Sequence, residues 1–534
     1  MAQVGDDPQS LARRLQAAAD EEKDLAKAIR LALRVAPVEP GLGIALLEML
    51  GNRVLSGGPD PEVRQLHAFL ADNEERRPTA LSIWGNALSN QAKTKTGEEA
   101  DQLFEEAGRK CAEALRLEPL DSGALNNWAV ALSDQAKTKT GEEADRLFEE
   151  AGGRYAEALR LKPEDSDALN NWGVALSDQA GTKTGEEADR LFEEAGRKYA
   201  NALRLRPEDP EVLYNWGSTL SHQAITKTGE KADRVFEEAG RKYAAALRLH
   251  PEHPESLTNW GNALCAQAKT KAGEDADRLF EEAGRKYAEA LRQQPEAPDA
   301  LNNWGVALSE QAKTKTGEDA DRLFEEAGRK YAEALRLRPE HPDVLYNWGN
   351  ALSDQAKSKT GDEADRLFEE ADRKYAEALR LKSEYPGAVY NWGTTLSEQA
   401  KTKTGEDADR LFEEAGRKYA EALRLKPEDP VALYNWGVAL VFQSKNGSEE
   451  AATRLLRRAR EKLLEAERLR PGIGAYNLAC VASLEGDAAE AARWLRALES
   501  IGQRQSVARI AAEKAFDRVR NHPEFASFLQ SLAS

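Results

Sequence analysis

Cysteine, methionine and histidine are scarce in this 534-residue sequence: 3, 2 and 6 copies. Cys111, Cys265 and Cys480 stand far apart and are odd in number, so neither a disulfide framework nor a metal-ligand pair is expected. There is no H-E-x-x-H, C-x-x-C, Walker A or G-x-S-x-G, and Gly41-Leu-Gly43 lacks a third glycine and a preceding strand. His250, His253 and His341 sit next to prolines, where solvent exposure is expected. No catalytic residue, metal, cofactor or enzymatic activity is therefore expected.

Long apolar runs are missing too. No window approaches 18 uninterrupted apolar residues, and the start, MAQVGDDPQSLARRL, has no basic stretch leading into an apolar one. A cytoplasmic protein with no membrane partner is the expectation. Alternating Val, Ile and Thr segments are absent, so strands are not expected. Positive charge is in deficit: a formal net charge of -18 opposes non-specific attraction to nucleic acid and anionic lipid and favours protein partners.

What the sequence has in abundance is itself. Trp84, Trp128, Trp172, Trp216, Trp260, Trp304, Trp348, Trp392 and Trp436 recur every 44 residues without a slip. In the third repeat, Leu169, Trp172, Gly173, Leu176 and Ala180 fall on one face of a first helix, A. Ala188, Leu191, Phe192, Ala195, Tyr199, Ala202 and Leu203 make the stripe of a second, B, closed by Pro207. Between them Thr184, Gly185, Glu186 and Glu187 read as a capping box, Thr184 accepting a backbone N–H and Glu187 reaching back. Gly173 and Ala195 are small where the helices must meet, and Trp172 is expected to supply the bulk, burying roughly 150–250 Å².

The pair resembles the tetratricopeptide repeat, W-x2-L-G-x2-Y then A-x3-F then P, with a period of about 34 residues. Leu169 stands for the family's first Trp, Trp172 for its Leu, Gly173 for its Gly and Leu176 for its Tyr; Ala195, Tyr199, Ala202 and Pro207 match the second helix. The extra ten residues lengthen mainly helix B, making an extended variant. In form, a repeat carrying Trp-Gly is similar to those of the plant mitochondrial outer-membrane import receptors. The resemblance implies an all-α fold, a right-handed superhelical solenoid of helix-turn-helix repeats. Residues 80–474 hold nine repeats; 475–534 read as a shortened unit and helical cap, with Phe516, Val519, Phe525, Phe528 and Leu529 among charges. Residues 1–79, outside the period, read as an N-terminal cap or docking module.

Variation among the repeats is concentrated on helix A. Two residues before the Trp stand Ser82, Asn126, Asn170, Tyr214, Thr258, Asn302, Tyr346, Tyr390 and Tyr434. Two after it stand Asn86, Ser218, Asn262, Asn350 and Thr394, or valine. Six after it stand Asp134, Asp178, His222, Glu310, Asp354 and Glu398, among others. Spaced by four, these positions form one stripe. The resemblance implies that this face lines a concave groove for partner segments. The stripe has no Lys or Arg, which disfavours a carboxylate-tail clamp. Its rings, amides and five carboxylates point to neutral or basic protein segments rather than acidic ones. The function expected is a non-enzymatic interaction scaffold or receptor. The alternatives are an architectural spacer or self-assembling array, with self-association left open, and polyanion binding through the lysines of the Lys-Thr-Lys-Thr turns. The last is weakened by the acidic residues that follow each turn and by the lack of aromatics within it.

Overall fold

The computed structural model describes residues 77–446, 448–503 and 505–533. The expected N-terminal module lies outside them except for its last three residues. Every regular element among the described residues is helical. A short helix of 14–16 residues alternates with one of 21, as in Pro298–Ala312 followed by Gly317–Leu337. A shorter pair, Ala475–Glu485 and Ala488–Ser500, follows the ninth repeat. The chain divides into two compact units at Gln267/Ala268.

Local chemistry sets the boundaries. Asp121, Asp165, Asp209 and Asp429 accept first-turn N–H groups of helix A, at 2.9 Å for Ala124. Prolines such as Pro298 and Pro342 start other copies, where no N–H is lost. At the far end Thr314 Oγ1 donates to the Gln311 carbonyl at 2.7 Å, and Thr138, Thr182, Thr226 and Thr402 do the same in their repeats. The capping box is not what opens helix B, because Thr184 and Thr316 make no side-chain cap hydrogen bond. The turn is made instead by the next residue: Gly317 has φ +60°, as have its seven counterparts from Gly97 to Gly405, within a degree or two. That conformation costs a residue with a Cβ. Glu318 and Asp319 in the first turn and Arg336 in the last complement the helix dipole.

The core corrects the role expected of tryptophan. Fully buried rings within the repeats are the helix B tyrosines, Tyr155, Tyr199, Tyr243, Tyr287, Tyr331, Tyr375 and Tyr419, together with Phe368. A methyl on Gly305 would stand 2.6 Å from the Tyr331 ring, so the glycine is there to admit that ring. The tryptophans are half-buried because they lie at the seam between repeats instead of inside one. Trp348 stacks on Tyr331 of the preceding repeat, centroids 6.3 Å apart, and Lys374 Nζ lies 3.7 Å from its centroid. Trp172 has the same neighbours in Tyr155 and Lys198. Burial in this contact lowers the Lys198 pKa.

A second seam element comes from the turn. The lysine before the Thr-Gly reaches an aspartate on the preceding helix B: Lys139 to Asp101 at 2.8 Å, Lys183 to Asp145 at 2.7 Å, Lys315 to Asp277 at 2.5 Å and Lys403 to Asp365 at 2.5 Å. Lys227 pairs with Asp189 in the same way. At the C-terminal end Phe516, Phe525 and Phe528 are buried with Leu498 and Ile510, Phe516 stacking on Phe525 at 5.3 Å. His341 is buried, contrary to the exposure expected of it, since its Nε2 lies 2.9 Å from Asp299 Oδ1 on the preceding helix A.

Candidate functional site

Helix A carries the stripe, and a ladder of hydrogen bonds keeps consecutive copies in register. The asparagine immediately before the Trp donates to the residue two before the Trp of the preceding repeat. In the first compact unit these bonds are Asn127 to Ser82 (3.0 Å), Asn171 to Asn126 (3.2 Å), Asn215 to Asn170 (3.1 Å) and Asn259 to Tyr214 (2.9 Å). In the second they are Asn347 to Asn302 (3.0 Å), Asn391 to Tyr346 (2.9 Å) and Asn435 to Tyr390, and beyond the ninth repeat Asn477, which precedes Leu478, donates to Tyr434 (3.1 Å). Every residue on the receiving side brings an oxygen, which is the chemical limit on what may stand there. Thr258 Oγ1 donates to its own helix, to the Pro254 carbonyl.

Sequence reasoning singled out the varied position and passed over its donor. The signal was available: the asparagine before the Trp is the same in every repeat from Asn127 to Asn435.

The position two after the Trp is coupled to this one through the buried tyrosine of helix B. Where the varied residue is Tyr214, Tyr346 or Tyr390, its ring tilts against Tyr243, Tyr375 or Tyr419, with centroids 6.2–6.5 Å apart. The helix B hydroxyl then donates to Ser218 (3.1 Å), Asn350 (2.8 Å) or Thr394 (3.3 Å). Where the varied residue is Asn126, Asn170 or Asn302, the partner position is valine. Tyr434 is followed by Val438, and there helix B has Leu463, with no hydroxyl to satisfy. Burial raises the pKa of these phenols, to about 12 for Tyr243 and Tyr419, so they remain hydrogen-bond donors.

The carboxylates of the third row, six after the Trp, are paired with lysines of the turns. Asp134 is paired at 2.6 Å with both Lys93 and Lys137, and Lys137 reaches Asp178 at 3.4 Å. Lys313 bridges Glu310 and Asp354, Lys357 binds Asp354, and Lys401 binds Glu398. Burial raises the Asp178 pKa, and Lys137 opposes that rise. The five carboxylates that gave the stripe its acidic look in the sequence are thus each balanced by a turn lysine. His222 is exposed, while Asn86 and Asn262 are half-buried, with Asn262 within 3.5 Å of Asn259. No group of metal-ligating side chains occurs among the described residues, and none of their helices is long and apolar enough to cross a membrane.

Paired helices closed by a small residue against a helix B ring, stacked through A-to-A and B-to-A seams, define a tetratricopeptide-type repeat protein. The family model described as plant specific mitochondrial import receptor subunit TOM20 matches residues 98–202, 146–256, 186–298 and 275–402. These overlapping matches run together over more than half of the chain, which belongs to that family.

Among solved structures, yeast Tom70 is similar at 16% identity, over 91% of this chain and 99% of that one, with a TM-score of 0.41. YrrB, a TPR protein with an unusual peptide-binding site, is similar at 19% identity over 44% of this chain and 96% of its own, TM-score 0.27. A human IFIT1 dimer with PPP-AAAA is similar at 14% identity, over 88% and 96%, TM-score 0.42. No curated protein matches the sequence.

Proposed function

We propose that this chain is a non-enzymatic scaffold or receptor that holds extended protein segments along the helix A strip. The observation that carries the reading is a division of labour on one helix. Gly305, Leu308 and Ala312 are buried and recur almost unchanged, whereas the choice between ring and amide two before the Trp is half-exposed at Tyr214, Tyr346, Tyr390 and Tyr434 and differs between repeats. The family name, that of an import receptor subunit, supports a receptor of protein segments. Placement in the cytoplasm remains part of the proposal.

The partner we favour is neutral or mildly basic along the strip. Tyrosines offer rigid faces and amides offer backbone hydrogen bonds, while the balanced carboxylate row leaves little net charge to recognise. One observation favours the architectural alternative: the oxygen at the varied position is already engaged by the ladder, so part of its chemistry is fixed by stacking.

The test is selection of displayed random peptides on the immobilised full chain, followed by binding to Tyr346→Thr and Tyr390→Thr. Threonine beside Asn350 recreates the pairing of Thr258 with Asn262, so the fold has a precedent for the first change. An enriched peptide should lose about tenfold in affinity, about 1.4 kcal/mol, while Arg329→Ala on the exposed face of helix B leaves it unchanged. No enrichment, or enrichment indifferent to both strip variants, would leave the array as architecture.

A further inference from the structure

Away from the strip, the seam between a helix B and the next helix A opens into a cleft. In the second compact unit one such cleft of about 450 Å³ is lined by Phe280, Glu281, Gly284, Trp304, Gln311 and Glu326, among others. The first unit has a counterpart of about 320 Å³, with Phe104, Glu105, Gly108, Trp128 and Gln135 at the same repeat positions. A missing side chain makes the space. The nearest group to a Cβ built on Gly284 or Gly108 is the indole Nε1 of the tryptophan, at 3.5 and 3.2 Å. The indole nitrogen therefore borders the space that glycine leaves open. At two related seams, Trp392 Nε1 and Trp436 Nε1 are buried without a hydrogen-bond partner, a costly condition for a donor.

The chain fills one of these positions itself. Where other copies of helix B have Gly240, Gly284, Gly328 and Gly416, the seventh has Asp372. Its carboxyl lies by the Trp392 indole without closing a hydrogen bond to Nε1, its own Oδ1 being buried and unpaired too, with Glu369 on its own helix and Glu414 and Lys418 on the helix B that follows. Burial, then Glu414, push its pKa up to about 7. Below that pH the group beside the indole is a neutral carboxylic acid. A protonated carboxyl offers a carbonyl acceptor and a donor on one planar carbon, as a carboxamide does. Asp372 thus resembles in shape the end of an Asn or Gln side chain.

We propose that the open clefts at Gly108–Trp128 and Gly284–Trp304 form a second recognition face that takes carboxamide side chains, Gln or Asn, from a protein partner. The amide oxygen accepts from the indole N–H. The amide NH2 donates to the acidic side of the cleft, where Asp277 Oδ1 is buried without a hydrogen-bond partner in the cleft beside Trp304. Charge decides against the two nearest alternatives. A carboxylate entering beside Trp304 would meet Asp277, Glu281, Asp319 and Glu326 against only Lys315 and Arg322, of which Lys315 is already held by Asp277, and an ammonium would leave the indole N–H unused. The carboxamide is neutral and serves both sides.

The experiment follows the indole N–H resonances of the full chain, labelled in tryptophan and assigned by substitution, during titration with N-acetyl-Gly-Gln-Gly-amide and with its Glu counterpart. Trp128 and Trp304 should shift saturably with the Gln peptide and not with the Glu peptide, while Trp392, screened by Asp372, stays still. Gly284→Asp copies the chain's own residue and should silence Trp304 alone. Asp372→Gly should make Trp392 respond. Should Gly284→Asp disturb folding, Gly108→Asp repeats the test in the other unit. Tyr346→Thr leaves all of these responses in place, which separates this face from the strip. The proposal is overturned if Trp128 and Trp304 do not saturate, if the response survives the aspartates, or if the Glu peptide acts equally.

Discussion

Lys359 reaches back across a seam: its Nζ lies 2.7 Å from Asp321 Oδ2 on the helix B of the repeat before, and 3.1 Å from Glu363 on its own. The lysines that look in the sequence like a track for phosphates are straps between neighbours.

The hydrogen bonds to Asp321 and Glu363 raise the Lys359 pKa above the ordinary 10.5. A raised lysine contributes stability in full below its unfolded value and loses it as pH climbs through the folded one. The thermal midpoint of the native chain should therefore fall more steeply above pH 10.5 than that of Lys359→Gln. Parallel curves would contradict the strap.

Tyr331→Ala should destabilise its repeat by about 3 to 5 kcal/mol, the range for emptying a buried aromatic site. Trp304→Ala should cost less, because the ring is half-exposed and held at a seam. Tyr331→Leu should be tolerated best, since Leu463 fills the same place in the ninth repeat. Denaturant midpoints of the three variants check the order.

Helix positions, the turn and the small residues at Gly173 and Ala195 were legible in the sequence because they follow from spacing and size. The roles of Trp and Tyr were not. Both are large and recur with the same period, and only the stacked geometry shows which one meets Gly305 and which faces the next repeat. The stripe was legible as a pattern of change. Its charge was misleading because each balancing lysine lies in the turn, off the helical face on which the carboxylates were counted. The threonine before Gly185 looked like a cap by motif, yet the glycine's left-handed φ makes the turn without one.

Gly317→Ala isolates that conformation, since a Cβ there would meet nothing within 4 Å. Its cost should be about 1 to 2 kcal/mol, from backbone alone, read as a lower thermal midpoint with unchanged helicity. A neutral outcome would mean that the turn relaxes freely.

Asp372 has a folded pKa raised to about 7 from 3.8, so the native state binds its proton more tightly than the unfolded chain. Stability should fall as pH rises between those values. Asp372→Asn should then raise the thermal midpoint at pH 8 and change it little at pH 4. An equal effect at both would assign the gain to packing.

The ladder joins residues 45 apart and the straps join residues 38 apart, so each repeat is written in terms of its immediate neighbour. Excising or copying 44 residues between equivalent points returns every partner to its place. Length is thus a property that gain or loss of whole repeats alters without inventing a new contact. Asp372 and Leu463 mark where such an exchange would leave a trace, because each occurs at its repeat position in one copy alone.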